Sequence, residues 1–278
     1  MNLCVLGSGS KGNAILIWEP APLAANNQPW PLPWAVLIDC GLAAANIAAD
    51  LKQFKMAPAD VKAILISHAH GDHWQSLLPF WKHCPSAIVY AHAATLKTMR
   101  DKLGEKKPFP GDARAVEFGK PFALSRDHAK LFTGIGLACE HNSEGAMTFC
   151  LKNYSGRKIA IWNETGKITA EMWKAGLGAQ VYGIEMNHDQ TACLENPDRP
   201  ETVNQRTWST HVNNDQAALA IQSLPETAHT VVALHLSGEN NDPELVRRIM
   251  AEANARRRKR LDAVIVSSQD VATRLIEV

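Results

Sequence analysis

Short apolar runs alternate with amphipathic segments from one end of the chain to the other. NLCVL at 2–6, AILIW at 14–18 and AVLID at 35–39 read as strands, since β-branched and apolar residues suit a pleated, buried surface. Residues 43–54 place Ile47, Leu51 and Phe54 at helical spacing. KAILIS at 62–67 predicts a buried strand, and WQSLLPFWK a helix that Pro79 would kink. AIVYA at 87–91 predicts a strand, and 93–103 a helix with Leu96, Met99 and Leu103 on one face. From 114 to 163 short strands dominate, among them GIGLACE, AMTFCL and KIAIW. Strands at 179–185, 230–235 and 263–267 then alternate with helices near 168–176, 213–223 and 243–257. Residues 20–34, rich in Pro, Trp and Asn, read as an irregular connection within a hairpin. No repeat, low-complexity tract or linker divides the chain, so one α/β domain over 1–278 is expected.

Composition narrows the classes. Of 278 residues, 46% are hydrophobic and 21% charged, which excludes a disordered chain. No run approaches 18 apolar residues, so neither a membrane span nor a membrane partner is expected. The first residues lack a basic start followed by a long apolar stretch. With six cysteines and no CxxC pair, that predicts a cytoplasmic protein with reduced thiols. A formal net charge of +1 speaks against coating nucleic acid by bulk charge and leaves room for a local patch. RRRKR at 256–260, preceded by Arg247 and Arg248, is such a run, with a solvated helix end as the other reading.

Gly7, Gly9 and Gly12 match G-x-G-x-x-G in form. A dinucleotide site would need a helix next, and AILIW is a strand instead. The glycines therefore read as a hairpin turn, whose Ser8, Ser10, Lys11 and Asn13 could border a site.

The strongest chemical signal lies among the 11 histidines. SHAHGDHW at 67–74 follows a strand and precedes a helix. His68 and His70, two apart in extended chain, point the same way and can share one ion. Asp72 and His73 lie just past Gly71, which permits a sharp turn that could aim both at a second ion.

H-x-H-x-D-H after an apolar strand resembles the signature of the metallo-β-lactamase superfamily. That resemblance implies a four-layer αββα sandwich with one or two metal ions at the edge of its sheets. It carries further ligands onto His141 in LACEHNSEG, Glu164 in IWNETG and His235 in VVALHLSGENN. Glu164 stands where the family usually has aspartate, so it either still contacts metal in an altered geometry or points away. LGSGSKGNA, IEMNHD and HLSGENN are similar to the small stand-alone YycJ-like branch, regarded as DNA-processing with exonuclease activity. STHVNNDQAALA resembles the segment of transfer-RNA-processing relatives that places a histidine beside the scissile phosphate. Asp72 and His211 are thereby candidates for catalysis, although a cap or core histidine would also suit position 211. His188 stays open in the same way, and Asn187 or Asp189 would serve as a helix cap. Asp39 either orients a ligand histidine or shapes a turn. His83, His92, His128 and His229 read as ordinary packed or surface residues.

His and carboxylate ligands without cysteine suit two divalent transition-metal ions, with zinc foremost and manganese or iron as alternatives. Such ions lower the pKa of bound water and clamp an oxygen that gains charge, so no serine or cysteine nucleophile is required. The resemblance favours a metal-dependent phosphodiesterase or nuclease, with nucleic acid as partner. A thioesterase or lactonase is the rival enzyme, and a degenerate metal-binding member without hydrolase activity the rival non-enzyme. Oligomeric state is left open.

Overall fold

β1 (Asn2–Gly7) and β2 (Ala14–Glu19) are buried on both faces, which is why they are apolar at nearly every position rather than at alternate ones. They belong to a computed structural model that describes residues 1–19, 33–104, 109–126 and 129–278. Further strands are β3 (Trp34–Ile38), β4 (Val61–Leu65), β5 (Ile88–His92), β6 (Ala113–Val116), β7 (Pro121–Arg126) and β8 (Ala129–Ala138). They continue as β9 (Met147–Asn153), β10 (Lys158–Trp162), β11 (Val181–Glu185), β12 (Thr230–Leu234), β13 (Ala263–Val266) and β14 (Ile276–Glu277). Two seven-stranded sheets result, ordered β14-β1-β2-β3-β4-β5-β6 and β13-β12-β11-β10-β9-β8-β7. Both are mixed: β3 to β6 and β10 to β13 run parallel, and the remaining pairs antiparallel.

The helices are α1 (Ala44–Gln53), α2 (Gly71–Trp74), α3 (Leu77–Trp81), α4 (Ala93–Leu103) and α5 (Ala170–Gly176). After them come α6 (Gln190–Glu195), α7 (Glu201–Thr210), α8 (Asn214–Ser223) and α9 (Pro243–Ala255). Alternation along each strand sorts the apolar side chains into three layers. Ile15 and Ile17 of β2 join Val36, Leu65, Phe149, Ile161 and Leu234 between the two sheets. Leu16 and Trp18, on the other face of β2, pack with Ile47, Leu51, Phe80 and Met99 beneath the helices of the first sheet. Trp162 and Tyr182 pack with Met172, Ile221 and Met250 beneath those of the second. Three apolar layers between four structural ones make the αββα sandwich that the resemblance implied.

Several expectations are corrected. The single helix predicted from residue 74 is two short ones, because a proline ring at Pro79 would clash with the carbonyl of Gln75. Pro79 instead sits in the first turn of α3, where its missing N–H costs nothing. Gly71 has no left-handed φ, and the turn after His70 is simply the start of α2. The sequence reading missed α7, whose buried positions include Asn204 and Thr207 rather than an apolar stripe.

The basic run 256–260 lies away from the strand ends that carry the histidines. Ala263 pairs with Thr230, at the start of β12, while His235 follows its far end, about 16 Å along the strand. Arg257 is buried and donates to the carbonyls of Ile221 (2.6 Å) and Leu224 (2.9 Å) at the end of α8, so it braces the fold. Of the predicted connection 20–34, residues 20–32 lie outside the described residues, as does His128. No described helix is long and apolar enough to cross a membrane.

Candidate metal centre

Six polar side chains stand at or just beyond the C-terminal ends of strands: Asp39 after β3, His68 after β4, His141 after β8, Glu164 after β10, Glu185 at the end of β11 and His235 after β12. Ligand sites of α/β sheets gather at such ends because the loops there converge. Three of these residues leave their strands in the left-handed region, Asp39 at φ 60°, Glu164 at 57° and His235 at 53°. That conformation is disfavoured for residues with a Cβ and is commonest where function fixes a side chain. It turns each chain sharply and sends the side chain toward the others.

The ligand atoms form two groups. His68 Nε2 lies 2.9 Å from His70 Nδ1, and His141 Nε2 lies 3.2 Å from the same atom. On the other side, His73 Nε2 faces Asp72 Oδ2 at 3.3 Å, and Asp72, His73 and His235 form a second convergent set. Glu164 stands between the two. Its Oε1 is 2.7 Å from His235 Nε2 and 3.4 Å from His73 Nε2, while Oε2 is 3.5 Å from His141 Nε2. The carboxylate therefore points inward, not away.

The partners behind the rings decide which nitrogen carries the proton. His73 Nδ1 donates to Asp39 Oδ2 at 2.8 Å, and Asp39 also accepts from Ser67 N and Oγ. His68 Nδ1 faces the Ser67 hydroxyl at 3.0 Å. His141 Nδ1 donates to the Thr210 carbonyl at 3.4 Å, and His235 Nδ1 faces Glu185 Oε1 at 3.2 Å. Each arrangement places the proton on Nδ1 and the lone pair on Nε2, the tautomer a metal-binding imidazole needs. Asn13, from the glycine turn, brings its amide within 3.1 Å of His73 Nε2, and Ser8 Oγ accepts from His235 N, so that turn does border the site.

Burial and neighbouring charges act on most of these groups in opposite senses. Burial, then the neighbouring His73, holds His68 well below the usual histidine value. Burial also lowers His70 and His141, against the pull of nearby carboxylates. Burial works in the same sense on His235, but Glu164 and Glu185 outweigh it and push it up to about 10. For Glu164, burial would raise the carboxyl, and His235 and His73 bring it well below the usual range. Yet Glu164 Oε1 and His235 Nε2, both buried, find no aligned hydrogen bond. Orphaned buried polar atoms are costly, and four imidazole Nε2 atoms around a carboxylate, once free of protons, are a donor set for divalent cations. The residues present fit such ions.

Glu185 escaped the sequence reading. It is wholly buried, accepts from Thr165 N at 2.9 Å and faces His211 Nδ1 at 2.6 Å. Like Asp39, it lies at the end of an apolar strand, so the signal that singled out one could have found the other. His211 closes α7 and lines a cavity of about 470 Å³ with His235. Burial would lower it, but Glu185 and Glu164 raise it above the usual value. Asp189 caps α6 through Ala192 N (2.9 Å), whereas Asn187 donates to the His235 carbonyl (3.0 Å). His188 is buried outside both convergent sets, and burial lowers it to about 4. His92 caps α4 and stacks on Phe118.

Gly41 underlies the whole turn. A Cβ there would overlap the Asp72 carbonyl, backbone that cannot swing aside. Gly41→Ala is therefore expected to displace Asp72 and His73, costing about 1–3 kcal/mol of stability and a large part of the bound metal. Denaturant unfolding and elemental analysis check this together. Wild-type values for both would refute the packing argument.

Residues 35–140 match the model of the metallo-beta-lactamase superfamily. The chain is 29% identical over 254 residues to a Bacillus anthracis protein named exodeoxyribonuclease YycJ, covering 89% of this chain and 86% of that one. A Streptococcus pneumoniae protein named exodeoxyribonuclease WalJ is 26% identical over 282 residues, covering 99% and 97%. Among solved structures, the metallo-beta-lactamase fold protein YhfI from Bacillus subtilis superposes with a TM-score of 0.64 at 18% identity, over 98% of each chain. The short form of human tRNase Z gives 0.62 at 15% identity, also over 98% of each. Residues 35–140 are thus similar to the metallo-beta-lactamase superfamily, and the chain shares the fold of YhfI along its length.

Proposed function

We propose that the chain, acting as one domain over residues 1–278, is a metal-dependent phosphodiesterase that hydrolyses nucleic acid. The observation that carries this reading is the His211–Glu185 pair, held at 2.6 Å and opening on the cavity beside the two ligand groups. His68, His70 and His141 would hold one divalent ion, Asp72, His73 and His235 the other, and Glu164 would face both. Bound there, the ions would supply Lewis acidity toward water and toward the phosphoryl oxygen.

The chain's own residues then divide the proton traffic. Asp72, whose carboxylate is 26% exposed, would accept a proton from the attacking water. Glu185 fixes the His211 ring through Nδ1 and favours its charged form, so that Nε2 holds a proton at the cavity wall. An alkoxide leaves a phosphodiester poorly without such a proton, whereas a thiolate leaves a thioester unaided. The pair thus favours an oxygen leaving group. The names borne by the YycJ and WalJ relatives support nucleic acid as the substrate class.

Metal-loaded protein is expected to degrade end-labelled DNA, and His211→Ala to slow that reaction by about 10²–10³-fold with metal content unchanged. Binding of the DNA should weaken steadily as salt rises. Fully loaded protein that leaves nucleic acid intact, yet turns over a lactone or thioester, defeats the reading.

A further inference from the structure

The cavity of about 470 Å³ reaches from His211 and His235 out to an ion pair that the hydrolytic chemistry does not use. Arg199, in the segment between α6 and α7, meets Glu239, in the loop after β12, with Nε 3.0 Å from Oε2. Their segments are tied together next door, where Asn196 Nδ2 donates to Asn240 Oδ1 at 2.6 Å. Lys11, from the glycine turn, lines the same cavity and makes no ion pair with any described residue. Ser10 and Ser237 add hydroxyls, and a volume in the lower part of the range for small-ligand pockets suits one nucleotide rather than a folded strand.

We propose that this cavity is a mononucleotide subsite next to the reacting centre, with Arg199 as the anchor of a phosphate and Glu239 as a counter-ion that the phosphate displaces. The proposal rests on the nuclease reading for the identity of its ligand. Charge and exposure support the displacement. Glu239 is 65% exposed and Arg199 26%, so their bond is a surface one that holds weakly against a competing anion. A guanidinium is suited to paired hydrogen bonds with phosphate oxygens, which a lysine cannot match. In the free protein Glu239 gives the cavity mouth a negative charge and so disfavours small anions. A polynucleotide, drawn in by the reacting centre as well, would still displace it.

The test titrates metal-loaded protein with thymidine 5′-monophosphate by calorimetry, with thymidine as the uncharged comparison. The nucleotide is expected to bind and the nucleoside to bind at least about tenfold more weakly. Arg199→Gln should weaken the nucleotide about tenfold, and Glu239→Gln should tighten it about threefold, with metal content unchanged in both. Arg247→Gln, which removes the same charge from another exposed pair, should change nothing. Equal binding of nucleotide and nucleoside, wild-type affinity in the Arg199 and Glu239 variants, or a loss in Arg247→Gln as large as in Arg199→Gln would overturn the subsite. Protein that shows the expected binding pattern but degrades no DNA would instead overturn the nuclease reading and leave a nucleotide site standing.

Discussion

Replacing both His68 and His70 with Ala is expected to abolish hydrolysis and to remove at least one of two metal ions per chain. His68 Nε2, His70 Nδ1 and His141 Nε2 face one another within 3.2 Å along two edges, and the double replacement leaves His141 with only the shared Glu164 carboxylate. One imidazole and one shared carboxylate hold a divalent ion poorly against water. The loss of an ion that supplies several kcal/mol of transition-state stabilisation corresponds to about 10⁴-fold or more in rate. His68 is wholly buried, so Ala also leaves a void and weakens the fold. Circular dichroism on the same preparation separates that effect from loss of ligands. Folded protein with unchanged metal content, measured by elemental analysis after purification without chelator, would falsify the assignment of these two residues.

Much of this candidate centre was legible in the sequence because its polar residues follow apolar strands, where they stand out. Asp39, His68, Glu164 and His235 each lie just past a buried run. What stayed hidden depended on contacts between distant segments. Glu185 reads like an ordinary strand end, and its importance comes from Thr165 N, His211 and His235, none of them near in sequence. Gly41 matters through a backbone atom of Asp72 in another loop, a contact that no local pattern announces. Helix α7 escaped for a different reason. Its exposed Trp208 and polar residues give no apolar stripe, yet its end places His211. The basic run 256–260 is largely the solvated helix end that was one of its two readings, with Arg256 closing α9 and only Arg257 buried. Arg257 serves as the carbonyl clamp of α8 instead.

Glu164→Gln is expected to cost the protein one of its two ions and at least about 10³-fold in rate, while the fold survives. Glutamate here is one methylene longer than the aspartate usual in the superfamily that the sequence resembles. Glu164 takes φ 57° and is buried, with Oε1 toward His73 and His235 and Oε2 toward His141. One oxygen therefore faces each group of ring nitrogens, as a carboxylate shared by two cations would. Its neighbour Thr165 is fixed by Glu185, and a Cβ at Gly166 would overlap the Ser209 carbonyl, so the loop cannot readily retreat to absorb a change. Glutamine keeps the shape and fits the same space. It removes the negative charge that would offset two dications in a buried centre, where uncompensated charge is expensive. Its amide nitrogen, unlike a carboxylate oxygen, has no free lone pair to offer a cation. Glu164→Asp retains the charge and is expected to keep both ions, which isolates charge from side-chain length. Metal stoichiometry by elemental analysis and DNA hydrolysis by the same preparation measure the two effects together. If Glu164→Gln keeps wild-type stoichiometry and rate, the carboxylate holds no metal, and the second ion must depend on Asp72, His73 and His235 alone.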